Sequence, residues 1–237
     1  RSLGKQLTTI TQTSIAPMSL TASQLVSNIG VLAKITNGFS LNVVGVSAAN
    51  AAAVAAQRNV ASISVSDTSA NIAAKLDILT QLNSRISSLT QTVKQDLNIT
   101  ADQMTADATL LAKIDSGDYT LAVSNVRAAN VATVAADTHV TTLSVADSAD
   151  NLVGNLAALK NTLTVAVAGS NNTLDKLGSI TQIGNSPLAV TATQLSTYYS
   201  SVLSRMGNNY NLAVSAVAAG NAATVAGMAH VNSVAVA

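Results

Sequence analysis

The sequence predicts an α/β protein, a right-handed parallel α/β solenoid of strand–turn–helix coils. Each coil takes about 22–23 residues, and three coils make a block of about 79. Three observations predict it. Short alternating runs recur at near-constant spacing, Ala-rich helical stretches lie between them, and the composition offers little for a core built on large aromatics.

The strands come first. Residues 18–20, 41–43, 63–65, 121–123, 143–145, 188–190 and 212–214 alternate apolar and polar, so one face of each run is apolar. Between them, residues 48–57 and 69–82 have helical character. Strands joined by single helices run parallel with right-handed crossovers, and repeating that geometry gives a solenoid. Ala-rich helices approach a sheet closely but bury little each, so one coil draws its stability from its neighbours.

The repeat is explicit. LTASQLVSNIGVLAKI from Leu20, ITADQMTADATLLAKI from Ile99 and VTATQLSTYYSSVLSRM from Val190 are copies of one segment, offset by 79 and then 91 residues. A second segment starts at Phe39, Tyr119 and Tyr210, and a third at Ala61 and Thr141. The blocks are 1–86, 87–177 with an insertion of about a dozen residues, and 178–237. A further element opens each block, at 7–17, 89–96 and 180–187. It reads as an added strand and loop, a hairpin projecting from the solenoid and suited to lateral contact. The start at Arg1 carries no initiator Met or signal peptide, and the end at Ala237 reads as a strand before its helix; both suggest cuts through a longer chain or a processed product.

Helix starts are marked by capping boxes. Thr21 with Gln24, Thr100 with Gln103 and Thr191 with Gln194 place a Thr oxygen on the N–H three residues on and a Gln that reaches back. Asp67 and Asp147, between strand and helix, read as N-cap carboxylates at positive helix ends, and Ser47 as the cap of its coil. Asn50, Asn130 and Asn221 recur in phase, as do Asn71 and Asn151. They read as buried rows that satisfy turn backbone.

Motifs of the form V-S-D-T-x-A-N-I-A-x-x-L-D-x-L, here 65–79, stand beside T-A-x-Q-L and A-A-N-A-x-x-V-A. With them the chain resembles the tandem repeats of very large secreted surface proteins of Proteobacteria. That resemblance implies export by a type I route and an adhesive, surface or matrix role. Such proteins often carry hemolysin-type calcium repeats elsewhere, but no G-G-x-G-x-D repeat stands in this sequence, so no cofactor is carried over to it. The likeness to leucine-rich repeats is architectural only.

Composition narrows the function. Charged residues are 10% and aromatics 2%, the net charge is +1, every acidic residue is Asp, and there is no Cys. The basic residues are scattered, which argues against a nucleic-acid face. No apolar run is long enough for a transmembrane helix. His139 and His230 share one repeat position with Asn59 and read as turn residues, too far apart to share a metal. Asp115 and Asp118 flank Gly117 and read as a turn rather than a calcium loop; Asp147 and Asp150 fit helix-dipole compensation. Asn98-Ile-Thr100 and Asn171-Asn-Thr173 match the glycosylation pattern by chance.

The sequence therefore points away from an enzyme. It suggests a structural segment of an extracellular bacterial protein, partnered by copies of itself, by further repeats or by cell-surface glycans, that builds a filament, sheath or surface layer. The alternative is the stalk of a giant secreted adhesin that presents a binding domain elsewhere in the chain.

Overall fold

The computed structural model describes residues 7–166, 173–207 and 209–237. The protein is α/β, with parallel sheets and short helices between the strands. In chain order, β1 (Met18–Thr21) leads into α1 (Ala22–Ser27) and α2 (Ile29–Leu32). Then come β2 (Leu41–Val46), α3 (Ala51–Ala55), β3 (Val60–Asp67), α4 (Ser69–Ala74), α5 (Leu76–Gln81) and β4 (Ile86–Gln91). Next are β5 (Leu97–Thr100), α6 (Ala101–Ala106), α7 (Ala108–Leu111), β6 (Leu121–Val126), α8 (Val131–Ala136) and β7 (Val140–Ser148). After α9 (Ala149–Gly154) and α10 (Leu156–Asn161) follow β8 (Val165–Ala166), β9 (Thr173–Leu174), β10 (Leu177–Ile183) and β11 (Leu188–Thr191). The chain closes with α11 (Ala192–Tyr198), β12 (Leu212–Val217), α12 (Ala222–Ala226) and β13 (Val231–Val236). Two compact units result: Arg1–Leu97 with Asp102–Tyr119, and Asn98–Ala101 with Thr120–Ala237.

In the first unit, β1, β2, β3 and β4 form one parallel sheet in sequence order. Alternation sends Leu41, Val43, Ile63, Val65, Ile86 and Leu89 into the core, each at most 1% exposed. Burying such a side chain contributes about 1.5–3 kcal/mol. In the second unit, β5, β6, β7 and β10 form a sheet, β11, β12 and β13 another, and β8 pairs antiparallel with β9. The pairings β6–β7, β7–β10, β11–β12 and β12–β13 are parallel.

The same bulge interrupts three strands. Val43 pairs with Ile63 and Val46 with Val65, so three residues on β2 span two on β3. The interval recurs from Val123 to Val126 and from Val214 to Val217. Gly45, Asn125 and Ala216 sit inside it with φ of 67°, 56° and 55°. The extra residue re-aims the strand, and Val46, Val126 and Val217 are fully buried beyond it.

Two expectations need correction. The element opening each block is not a projecting hairpin. Its strands at 86–91 and 177–183 are β4 and β10, which lie in the parallel ladders, and Ile10 bridges Ile35 as Leu89 bridges Ile114. The physical reason is burial: Ile86, Leu89, Leu177 and Ile180 are at most 3% exposed, which a free hairpin could not achieve. The hairpin that does form is β8–β9, within the insertion of the second block. Nor are the helical stretches single helices. Residues 48–50 are a 3-10 turn before α3, and the stretch at 69–82 breaks at Lys75. Asn28, Lys75, Asp107 and Asn155 all interrupt helices, at φ between −103° and −118° and ψ between 9° and 17°. Pieces this short have no stability of their own, so tertiary packing sets their course. Among the described residues no helix is long and apolar enough to cross a membrane.

Candidate functional site: polar clamps at the strand ends

At the C-terminal end of β3, Asp67 binds two successive coils. Its Oδ1 accepts from Thr68 N at 2.8 Å and Asn71 Nδ2 at 2.7 Å, while Oδ2 accepts from Ala48 N at 2.9 Å. Asp147 at the end of β7 repeats this with Ser148 N, Asn151 Nδ2 and Ala128 N at 2.8, 2.7 and 2.9 Å. Burial pushes both carboxyls up. The bonds from Asn71, Thr68 and Ala48 outweigh it at Asp67, as do those from Asn151, Ala128 and Ser148, with the Arg127 charge, at Asp147. Both groups are therefore held below the ordinary carboxylate value of 3.8.

This corrects their expected role. The N-caps of α4 and α9 are Thr68 and Ser148, whose hydroxyls accept from Asn71 N and Asn151 N. Asp67 and Asp147 stand one residue earlier, where a carboxylate reaches the first N–H of the preceding coil's 3-10 turn. That N–H has no intrahelical partner. Ser47 precedes that turn but makes no side-chain cap; its main-chain carbonyl accepts from Asn50 N at 3.0 Å, while the Asp67 carboxylate takes Ala48 N. Capping boxes do form at Thr21 with Gln24 and at Thr191 with Gln194. Thr100 ends β5; Gln103 lies in α6, with Nε2 donating to Asp77 Oδ1 at 2.9 Å.

The Asn rows are not buried. Asn50, Asn130 and Asn221 are exposed, each closing a 3-10 turn through its own N–H rather than its side chain. Asn71 and Asn151 are also exposed, but their amides orient the Asp67 and Asp147 carboxylates. The Asn71 and Asn151 side chains are thus part of the clamp, and the other row is a solvent-facing turn position.

Sequence reasoning missed the basic half of the site. Lys34 Nζ donates to Leu7 O, Lys113 Nζ to Ile86 O at 2.7 Å and to Asn83 O at 2.6 Å, and Arg205 Nη1 to Leu177 O at 2.9 Å. Leu7, Ile86 and Leu177 are equivalent repeat positions, so one cation per block holds an equivalent carbonyl; Ile86 and Leu177 are the first residues of β4 and β10, and Leu7 precedes the isolated bridge at Ile10. A second row does similar work: Arg85 binds Val60 O, and Lys176 binds Ala135 O and Asp137 O at 2.8 and 2.9 Å. Lys176 is 5% exposed, and burial pulls its pKa down while the Asp137 charge partly restores it. The signal was available, since A-K-I, A-K-I and S-R-M end the three copies. Scattered in sequence, these cations make equivalent bonds in each repeat.

The remaining polar residues fall into turns. Asn59 and His230 adopt φ of 67°, a region in which Asn and His are enriched. The carbonyls of Asn59, His139 and His230 accept from Leu41, Leu121 and Leu212 N. His139 Nδ1 lies 3.0 Å from Asp137 Oδ1, and the His230 ring stacks on Tyr210 at 4.2 Å. Asp115 accepts from Gln91 N at 3.3 Å, and Asp118 pairs with Lys94. Asp150 lies in the first turn of α9. The Asn171 motif lies outside the described residues. Among the described residues no three His, Cys, Asp or Glu side chains gather as metal ligands.

No protein-family model matches the chain, and no curated protein or solved structure is similar to it. The clamps are therefore the most informative feature. Chemically they join charged side chains to main-chain groups of neighbouring turns, helix ends and strand starts, which resists separation of one repeat unit from the next.

Proposed function

We propose that this chain is a structural repeat segment of an extracellular bacterial protein, a right-handed solenoid whose coils build a filament, sheath or surface layer. The observation that carries the reading is the recurrence of one clamp at equivalent positions: Lys34 on Leu7 O, Lys113 on Ile86 O and Arg205 on Leu177 O. Stability supplied by identical contacts between neighbours is how a repeat rod works. Low net charge leaves little repulsion between copies. Ile15 and Val93, in the loops after Gln12 and Gln91, and Ile183, the last residue of β10, are exposed at 102%, 54% and 62%, which gives one apolar contact point per block for lateral packing.

Negative-stain imaging of the purified chain at rising concentration tests this. Ordered polymers are expected, and replacing Ile15, Val93 and Ile183 together by Lys should reduce their lateral association. Monodisperse rods at high concentration would instead favour the stalk of an adhesin, and compact particles would count against both readings.

A further inference from the structure

Among the described residues β13 pairs with β12 alone, and its other edge is open. Val236 is 53% exposed and Val234 half-buried. Their counterparts lie inside. Ile63 and Val65 of β3, and Leu143 and Val145 of β7, are at most 1% exposed, with β4 and β10 on their outer edges.

A second open edge runs along residues 7–12. Their sequence, LTTITQ, repeats ISSLTQ of β4 and LGSITQ of β10. The segment is held on one side. Ile10 N donates to Lys34 O at 2.8 Å, Thr36 N to Ile10 O at 3.0 Å, and Asn37 Nδ2 to Gln12 O at 2.7 Å. Leu89 N of β4 donates to Lys113 O in the same way, while the other edge of β4 pairs with β3. Alternation turns the main-chain groups of Thr9 and Thr11 toward that other edge. Leu7 is 40% exposed, whereas Ile86 and Leu177 are 1% exposed.

We propose that residues 7–12 of a second copy add to the outer edge of β13 as a parallel strand, joining copies head to tail. This rests on the reading of the chain as a self-assembling repeat and supplies the joint. The two internal ladders share one register: Ile63 with Ile86 and Val65 with Leu89, Leu143 with Leu177 and Val145 with Ile180. Carried over, it sets Val234 against Leu7, Ala235 against Thr9 and Val236 against Ile10. Ala237 N already donates to Val217 O of β12, so the groups of Val236 face outward. Its N–H donates to Thr9 O and its C=O accepts from Thr11 N, as Asp67 O accepts from Thr92 N at 2.9 Å. Ladder bonds and alternate buried side chains are what strand addition offers. β4 and β10 also arrive with the helix pairs α4–α5 and α9–α10, which a lone strand lacks. The joint therefore forms at high concentration rather than in dilute solution.

The chain has no cysteine, so a disulfide can report the joint. Thr9→Cys and Ala235→Cys chains, substituted at exposed residues, are mixed at rising concentration under mild oxidation. A cross-link between the two positions, identified by peptide mapping, is expected. Asn232→Cys in place of Ala235→Cys should give little, because it lies about 10 Å back along the strand, beyond disulfide reach. Thr11→Pro removes a donor that makes no bond in the single chain. It should leave Tm near wild type and cut the cross-link yield at least about fivefold. Thr90→Pro, the same position within β4, should instead lower Tm. No cross-link at any concentration, an equal yield from Asn232→Cys, or a yield unchanged by Thr11→Pro overturns the joint. Polymers that persist without the cross-link overturn the joint alone and leave the filament reading standing. A cross-link found only in compact particles supports the joint and overturns the filament.

Discussion

Asn71 Nδ2 donates to Asp67 Oδ1 at 2.7 Å, while the other oxygen of the same carboxylate accepts from Ala48 N of the preceding coil at 2.9 Å. One side chain thus fixes the start of its own helix and the turn beside it. Removing it leaves Ala48 N, Thr68 N and the Asn71 amide short of an acceptor. Asp67→Ala should destabilise the first unit by about 1–3 kcal/mol, the cost of stranding such groups. Asp147→Ala should do the same in the second. Denaturant unfolding of each variant measures the loss, and a change below about 0.5 kcal/mol would show that the clamp carries no stability.

Acid should release the same clamps. Asp67 and Asp147 are held below 3.8 in the folded chain, so the unfolded state binds protons first as pH falls. Their contribution is complete above about pH 5 and is lost as pH drops through 3.8 and below. The expected outcome is a Tm that declines in this acid window and declines less steeply in Asp67→Asn/Asp147→Asn. Equal slopes in the two proteins would assign the acid sensitivity to other carboxylates.

The extent to which these features are legible in sequence follows from what each depends on. Alternating runs such as 41–43 and 121–123 appear inside β2 and β6, because burial of one strand face enforces a period of two. The capping boxes at Thr21 and Thr191 are equally local and equally readable. The element at 89–96 was legible as a strand and loop, but neither its start at Ile86 nor its place in the ladder was, since its partner, β3, lies two helices away. The Asp67 clamp and the Lys113 clamp were hidden for the same reason. Each is a bond to a main-chain atom of another coil, 19 to 30 residues off, and no spacing rule within one helix or strand reports it. The helix breaks at Lys75 and Asp107 carry no Gly or Pro signal, so only packing reveals them.

The bulge offers a conformational test. Gly45, Asn125 and Ala216 share a left-handed φ, and Ala is the residue least suited to it, lacking both the freedom of Gly and the local bonds of Asn. Ala216→Gly should therefore stabilise the chain by about 0.5–1 kcal/mol, the relief of strain less the added entropy of the unfolded state. Gly45→Ala should cost about 1 kcal/mol, although a Cβ at Gly45 would meet nothing within 4 Å. Opposite signs for the two changes are the signature, and they should appear in Tm as well as in denaturant midpoints. Two losses would mean that the bulge is held by packing rather than by φ.

The basic clamp is best judged against a basic residue that spans no strands. Lys113 Nζ bonds two carbonyls, Asn83 O and Ile86 O, the first residues of the 3-10 turn at Asn83–Arg85 and of β4. Lys94 pairs with Asp118 on the surface, the two side chains 56% and 82% exposed. Lys113→Ala takes a charged donor from two carbonyls, of which Asn83 O keeps the Ile86 N–H, and should cost about 1–3 kcal/mol. Lys94→Ala breaks an ion pair that solvent and salt already screen, and its Tm should match wild type. Salt separates them further: the Lys113 contribution is made to neutral carbonyls at close range and should persist in high salt, where a screened pair fades. If both variants lose the same stability, or if the Lys113 effect disappears in high salt, the cation is acting through general charge and not as a clamp between strands.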